Sequence, residues 1–337
     1  MANNQNFPVV DFSDFGNRYD IIAKEVLEAC RTIGFFYIKN HNGPTSLQFK
    51  RAFEMSEAFF TQPTETKIRF GKFELSCLEG YISLTPQRVD DKEIVYDNDK
   101  EQVPEYYLYR GKLVFDILPL SKPQNLPFAF QDNKQELDAF YKGMHSTVMN
   151  IFELLAFALQ IPANPETGAN DYLSSRHRYE KPFATSILRF LRYPSVESTG
   201  RDEEVVASAH TDYGSITLLS QRDIAGLQVE IDGVWTEIPK VDDAILVNVG
   251  GALEYWTRGL LKGALHRVVA TPELQANDRY SIAFFVVPET NTMLTGMPSP
   301  LLPAKMPDLE DVPTDRELTS DEYMMERFKS SSYLKRD

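Results

Sequence analysis

The chain has 337 residues, with 35 Lys and Arg against 49 Asp and Glu for a formal net charge of −14, and 42% of it is hydrophobic. That balance provides a sizeable core and excludes a disordered or collagen-like chain, no stretch approaches the ~18 apolar residues of a membrane span, and the acidic excess argues against nucleic acid as a partner. Two cysteines, Cys30 and Cys77, are too few for a disulfide scaffold and read as thiols of a reducing, cytoplasmic compartment.

FPVVDF (Phe7 to Phe12) reads as a short strand. Asp20 then precedes a helical pattern carried by Ile22, Val26, Cys30 and Ile33, which Gly34 stops, and GFFYIKNHN forms a second strand. Residues 44–60 repeat the helical signal through Leu47, Phe53 and Phe60, so the chain begins as a strand–helix–strand–helix unit. From about Gly71 to Asn125 the sequence reads as irregular and rich in Tyr, Asp and Lys, either a lid or a surface excursion. Residues 133–160 place Leu137, Phe140, Met144, Val148, Ile151, Leu155 and Leu159 at steps of three and four, one long amphipathic helix.

After Ser186 the period shortens. SILRFL, EVVASA, SITLLSQ, LQVEI, WTEIP, AILVNVG, ALHRVVA and RYSIAFFVV are eight β-type runs, and Asp232-Gly233 between two of them marks a hairpin. The expected fold is mainly β with flanking helices, a sandwich or jelly roll joined to an N-terminal α/β unit. Expected boundaries are 1–125, 126–305 and 306–337, the last an acidic segment and a helix capped by Thr319 or Ser320. That final helix is either solvated or a lid across the barrel mouth.

Five histidines are present: His41, His145, His177, His210 and His266. In HTDYGS, His210 and Asp212 lie two apart, which on a strand sends both side chains to one face, and His266 in ALHRVV lies on a later strand. Two imidazoles and a carboxylate suit a facial Fe(II) site with open positions, whereas a structural zinc site asks for four protein ligands. His41, His145 and His177 fall outside this constellation and read as structural.

RYS places Arg279 and Ser281 on one strand face, a bidentate grip for a carboxylate with an added hydroxyl. ILRFLRYP puts Arg189, Leu191 and Tyr193 on one face, where a phenol can reach the same anion. Strand alternation turns Ala283 and Phe285 inward with Arg279 and Ser281. Phe285 is then either a stacking surface for an aromatic substrate or ordinary core. Arg189 calls for a partner, either an anionic substrate group or an internal carboxylate. Ser208, Tyr81, Tyr107 and Tyr109 are further pocket candidates; Trp256 and Arg267 read as packing residues.

These motifs together resemble the isopenicillin N synthase-like branch of the Fe(II)/2-oxoglutarate-dependent dioxygenases, from FPVVDF and GFFYIKNHN through HTDYGSITLL, GLQV, VNVGGAL, HRVV and RYSIAFF. The resemblance implies a double-stranded β-helix, iron held by His210, Asp212 and His266, and the distal carboxylate of 2-oxoglutarate held by Arg279 and Ser281. Tyr193 matches the Tyr of the family's Asn-x-Tyr, with Leu191 where Asn is common. In VNVGGAL, Gly251 stands where an Asp is frequent, expected to be a turn variant without catalytic consequence. The retained Asp212 argues against a halogenase.

The implied function is oxidation of a small metabolite with Fe(II), 2-oxoglutarate and O2, releasing succinate and CO2, in secondary metabolism among other settings. The alternatives are an Fe(II)/O2 oxidase or an ethylene-forming enzyme of the same branch, or a jelly-roll binding protein without turnover. A monomer is the default assembly.

Overall fold

The computed structural model describes residues 7–74, 77–84, 86–89, 93–96, 99–103, 112–120, 122–179, 186–195, 204–307, 309 and 312–330. In chain order the elements are β1 (Val9–Asp11), α1 (Tyr19–Thr32), β2 (Phe35–Lys39), α2 (Ser46–Phe60), α3 (Thr64–Ile68), β3 (Gly71–Glu74), β4 (Cys77–Leu84), β5 (Pro86–Val89), β6 (Glu93–Tyr96), β7 (Asp99–Val103) and β8 (Lys112–Ile117). There follow α4 (Phe128–Gln131), α5 (Lys134–Ala158), β9 (Ile187–Tyr193), β10 (Glu204–His210), β11 (Ile216–Gln221), β12 (Leu227–Ile231), β13 (Val234–Glu237), β14 (Ile245–Val249), α6 (Gly251–Trp256), β15 (His266–Ala270), α7 (Pro272–Ala276), β16 (Arg279–Val286) and α8 (Ser320–Ser330). No described helix is long and apolar enough to cross a membrane.

The eight β-type runs expected after Ser186 are β9 to β16. They divide between a nine-stranded sheet, ordered β1-β2-β14-β11-β16-β9-β8-β4-β3, and a four-stranded sheet, β10-β15-β12-β13. Asp232 and Gly233 turn the β12–β13 hairpin with φ of 50° and 78°, both in the left-handed region that a two-residue hairpin turn requires. Side chains from both sheets, among them Leu191, Tyr193, Leu246 and Ala283 from the large one and Val206, Leu227, Val229 and Val268 from the small one, pack into a single interior. This is the double-stranded β-helix, closed face to face.

The large sheet is buried on both sides, which explains its near-continuous apolar runs. Phe36 and Ile38 of β2, Ile245, Val247 and Val249 of β14, and Tyr280, Ile282, Phe284 and Val286 of β16 face outward against the helices. The alternate residues Phe35, Tyr37, Leu246 and Ala283 face the barrel interior. On the helical side α5 presents Leu137, Phe140, Met144, Val148, Ile151 and Leu155, all fully buried. Burial of each such side chain stabilises the packing of α5 on the sheet by ~1.5–3 kcal/mol. The capping box of Thr45 and Gln48 starts α2 at Ser46, and Gly34 ends the α1 segment at φ 75°, where a Cβ would lie 2.2 Å from the Lys262 carbonyl oxygen.

The stretch expected to be irregular differs from expectation. β3, β4 and β8 within it extend the large sheet past β9, and β5, β6 and β7 form a separate three-stranded sheet. β8 alternates little in polarity because both of its faces are covered, which hides it from a period-two reading. Tyr81, weighed as a pocket residue, is 1% exposed and packs on Phe59 of α2 within the helical core. Tyr107 and Tyr109 lie outside the described residues.

Candidate active site

His210 closes β10 and His266 opens β15, and the two are direct partners across the antiparallel ladder. Register shifts between Val205 and Ala207 and again between Ala207 and His210 re-aim the end of β10. Asp212 corrects the expectation that it shares a strand with His210: β10 stops at His210, and Asp212 sits in the loop that follows. It reaches the histidines because the chain turns, and the turn is pinned to the start of α6. The amide of Gly251 donates to the Asp212 carbonyl at 2.7 Å, and that of Gly250 to the Ser215 carbonyl at 2.9 Å.

The approach is too close for a side chain. A Cβ on Gly250 would meet the Gly214 carbonyl oxygen at 2.2 Å, and one on Gly251 would meet the Tyr323 hydroxyl of α8 at 2.4 Å. Gly251 is therefore more than a turn variant, since it admits the C-terminal helix.

Each imidazole is oriented by its own backbone. His210 Nδ1 donates to the Ser208 carbonyl at 2.7 Å, and His266 Nδ1 to the Ala264 carbonyl at 3.0 Å. A carbonyl only accepts, so both protons sit on Nδ1 and both Nε2 atoms keep a free lone pair. The distances to Asp212 Oδ1 are 3.8 Å from His210 Nε2 and 3.7 Å from His266 Nε2. Asp212 Oδ2 accepts from Thr217 Oγ1 at 2.6 Å and Asn248 Nδ2 at 2.8 Å, which leaves Oδ1 facing the nitrogens.

Burial alone would raise the Asp212 carboxyl; the two imidazoles and these two hydrogen bonds outweigh it and hold it below the ordinary carboxylate value. His210 touches solvent, yet its ring packs against that of His266 at 4.4 Å and is partly desolvated. That desolvation, then repulsion from His266 and Lys112, pushes it down to about 4, so it is a neutral donor at physiological pH.

One donor atom from each residue lies within 4.8 Å of the others, the only such grouping among the described residues. Two imidazole nitrogens and one carboxylate oxygen fit an Fe(II) facial triad and fall short of a closed zinc site.

The interior face of the large sheet carries the other expected residues. β16 pairs with β9 so that Arg279 lies opposite Tyr193, Ser281 opposite Leu191 and Ala283 opposite Arg189. Arg279 is buried, its Nε donates to the carbonyls of Ile224 and Ala225, and one Nη donates to Gln221 Oε1 at 2.8 Å. Burial lowers its pKa from the ordinary guanidinium value, and the Tyr193 phenol works against that shift.

Arg189 finds an internal partner. Its Nε and Nη2 each donate to one oxygen of Asp116 at 2.7 Å, a bidentate pair whose carboxylate is fully buried. The guanidinium also lies 5.1 Å over the Phe285 ring, so Phe285 and Arg189 form one wall of the interior. Ser208 contributes its carbonyl to His210, and Leu191 is buried in the interior wall.

Sequence reading missed Thr217, Asn248, Gln221 and Asp116. For Thr217, Asn248 and Asp116 the signal was available: each is a polar residue inside an otherwise apolar strand run, and such a residue needs a buried partner. It missed as well the docking of α8, whose Arg327 stacks on Tyr213 at 4.8 Å and whose Phe328 meets the same ring edge-on at 5.4 Å. Thr319 caps this helix with Glu322, as the sequence suggested. α8 is not a purely solvated helix: it braces the loop that carries Asp212.

Residues 182–288 match the 2OG-Fe(II) oxygenase superfamily, and residues 7–109 match the N-terminal region described as non-haem dioxygenase in morphine synthesis. Clavatol oxidase claD of Penicillium crustosum is 30% identical over 301 residues, covering 82% of this chain and 84% of its own. A 1-aminocyclopropane-1-carboxylate oxidase of Dictyostelium mucoroides is 27% identical over 333 residues, covering 86% and 83%. The fold is that of a full-length Neurospora crassa protein solved in complex with alpha-KG, with a TM-score of 0.77, 24% identity and 98% of each chain covered. Sequence, fold and the disposition of the triad agree, and the chain belongs to the 2OG-Fe(II) oxygenase superfamily.

Proposed function

We propose that this enzyme, whose cofactors are Fe(II), 2-oxoglutarate and O2, oxidises a C–H bond of a small metabolite and releases succinate and CO2. His210, Asp212 and His266 hold the iron, and Arg279, Ser281 and Tyr193 bind the distal carboxylate of 2-oxoglutarate. The observation that carries this reading is the convergence of two Nε2 atoms and Asp212 Oδ1 with every remaining polar atom of the triad already hydrogen-bonded. When bound, the iron and its cosubstrate supply the oxidising power.

The protein's own residues orient and exclude. Thr217 and Asn248 keep Asp212 from rotating, the carbonyls of Ser208 and Ala264 fix the imidazole tautomers, and Gln221 aims Arg279 along the interior. Phe285, Arg189, Leu191 and Ser208 are the substrate-side residues. Because Asp116 already neutralises Arg189, the guanidinium acts as a rigid polar wall against the Phe285 ring rather than as a free anion receptor. Similarity to a named clavatol oxidase supports a role in secondary metabolism. The acidic net charge supports a small-molecule substrate over nucleic acid, and the sparse cysteines support a cytoplasmic setting.

Similarity to a 1-aminocyclopropane-1-carboxylate oxidase keeps a second reading, an Fe(II)/O2 oxidase of the same branch. Anaerobic titration of Fe(II)-loaded protein with 2-oxoglutarate separates the two. A weak charge-transfer band near ~500 nm, lost in Arg279→Ala, is the expected result. Absence of the band in iron-loaded wild type would favour the oxidase.

A further inference from the structure

Building on the reading of Arg279, Ser281 and Tyr193 as the cosubstrate pocket, we propose that Lys112 is a second cationic anchor for the distal carboxylate of 2-oxoglutarate. Lys112 opens β8, and the register that pairs Leu113 with Arg192 and Val114 with Leu191 sets it beside Tyr193 on the interior face. Its ammonium nitrogen lies 6.0 Å from the centroid of the Tyr193 ring, and the guanidinium carbon of Arg279 lies 5.1 Å from the same centroid. One phenol thus has two cations against it, contributed by strands on either side of β9.

Charge accounting on this wall singles Lys112 out. The charged side chains that β8, β9 and β16 turn inward are Lys112, Asp116, Arg189 and Arg279. Asp116 and Arg189 neutralise each other, and Arg279 is steered by Gln221 and two backbone carbonyls. Lys112 is half-buried and has no ion-pair partner among the described residues. Val114, the next inward residue of β8, and Leu191, its partner on β9, are both apolar. 2-Oxoglutarate is a dianion, and an ammonium withdrawn from water without a counter-ion gains most from a ligand that brings one.

The test is titration calorimetry of 2-oxoglutarate into the full-length, Mn(II)-loaded protein, comparing wild type with Lys112→Met, Lys112→Gln and Lys112→Arg. The expected result is a Kd raised about tenfold in the Met and Gln variants and restored to within about threefold by Arg. Mn(II) affinity should not fall, since Lys112 supplies no ligand and its charge only repels a cation at His210. 2-Oxobutyrate, which keeps the 2-oxo acid end and lacks the distal carboxylate, should bind wild type and Lys112→Met alike.

A Kd for 2-oxoglutarate within twofold of wild type in both neutral variants would overturn the assignment. So would an equal loss for 2-oxobutyrate, which would mark a general field or structural effect. Failure of the wild type itself to bind 2-oxoglutarate is a different failure, since it removes the cosubstrate reading on which the role of Lys112 stands. Lys112 makes no ion pair among the described residues that the fold would lose, and the Met and Gln variants check each other.

Discussion

His177 and Ser215 are joined by a 2.8 Å hydrogen bond that ties the loop carrying Asp212 to the helical side of the molecule. His177 Nδ1 donates to the Leu173 carbonyl at 2.8 Å, so its Nε2 is the acceptor and the Ser215 hydroxyl the donor. The ring is buried against Phe152 at 4.2 Å and Trp256 at 6.2 Å. A histidine that reads from sequence as merely structural supports the loop that carries Asp212 from behind.

Its titration has a direct consequence for stability. Burial pushes His177 down to about 3 in the folded chain, against ~6.5 for an unperturbed imidazole, so below pH 6.5 the unfolded chain takes up a proton that the folded chain refuses. The folded state is therefore favoured above pH 6.5 and loses stability as pH falls toward 3, by ~2 kcal/mol at pH 5 from this residue alone. Urea unfolding at pH 7 and pH 5 should show a smaller loss for His177→Gln than for wild type. Equal losses in the two proteins would remove His177 as a source of acid sensitivity.

Asp212 is held by two residues that are not among the proposed iron ligands. With Thr217 or Asn248 replaced by an apolar residue of similar size, as in Thr217→Val and Asn248→Leu, Oδ2 loses one of its two donors and the carboxylate is free to turn. Supporting partners of metal ligands typically account for ~10–100-fold in metal affinity. Mn(II) binding followed by electron paramagnetic resonance should weaken by about that factor in each variant while the melting temperature moves little. Unchanged affinity would mean that strand packing alone orients Asp212.

The contact between Gly251 and Tyr323 makes a paired test possible. Gly251→Ala places a Cβ against the Tyr323 hydroxyl and should cost about 1–3 kcal/mol as α8 is pushed off the Asp212 loop. Adding Tyr323→Phe removes the clashing oxygen and should recover most of that loss in a denaturant titration. If the double variant is no more stable than Gly251→Ala, the clash lies elsewhere, and the packing of α8 on α6 is not what the glycine serves.

Much of the architecture was legible from residue order because both hydrophobic periods are strong here. The eight runs after Ser186 are separated by turn residues and became β9 to β16, and the three- and four-residue spacing of Leu137 to Leu155 became α5. The triad residues were legible as a grouping of types, two histidines and an aspartate in HTDYGS and ALHRVV, which a facial metal site requires. Sequence patterning could not place Asp212, because a period of two assumes that the strand continues, and β10 ends at His210. Nor could it show β8 joining β9, which brings Asp116 to Arg189 and Lys112 to Tyr193 across long separations in the chain.

Sequence by itself thus determined which side chains are available and which face of each strand they leave. Tertiary structure alone decided their partners: that the carboxylate of Asp116 occupies Arg189, that Ser215 leans on His177, and that α8 closes over Gly251. The physical reason is that periodicity is a local property of a chain, whereas the pairing of buried charges and the closing of a loop depend on sheet register and on close approach between distant segments.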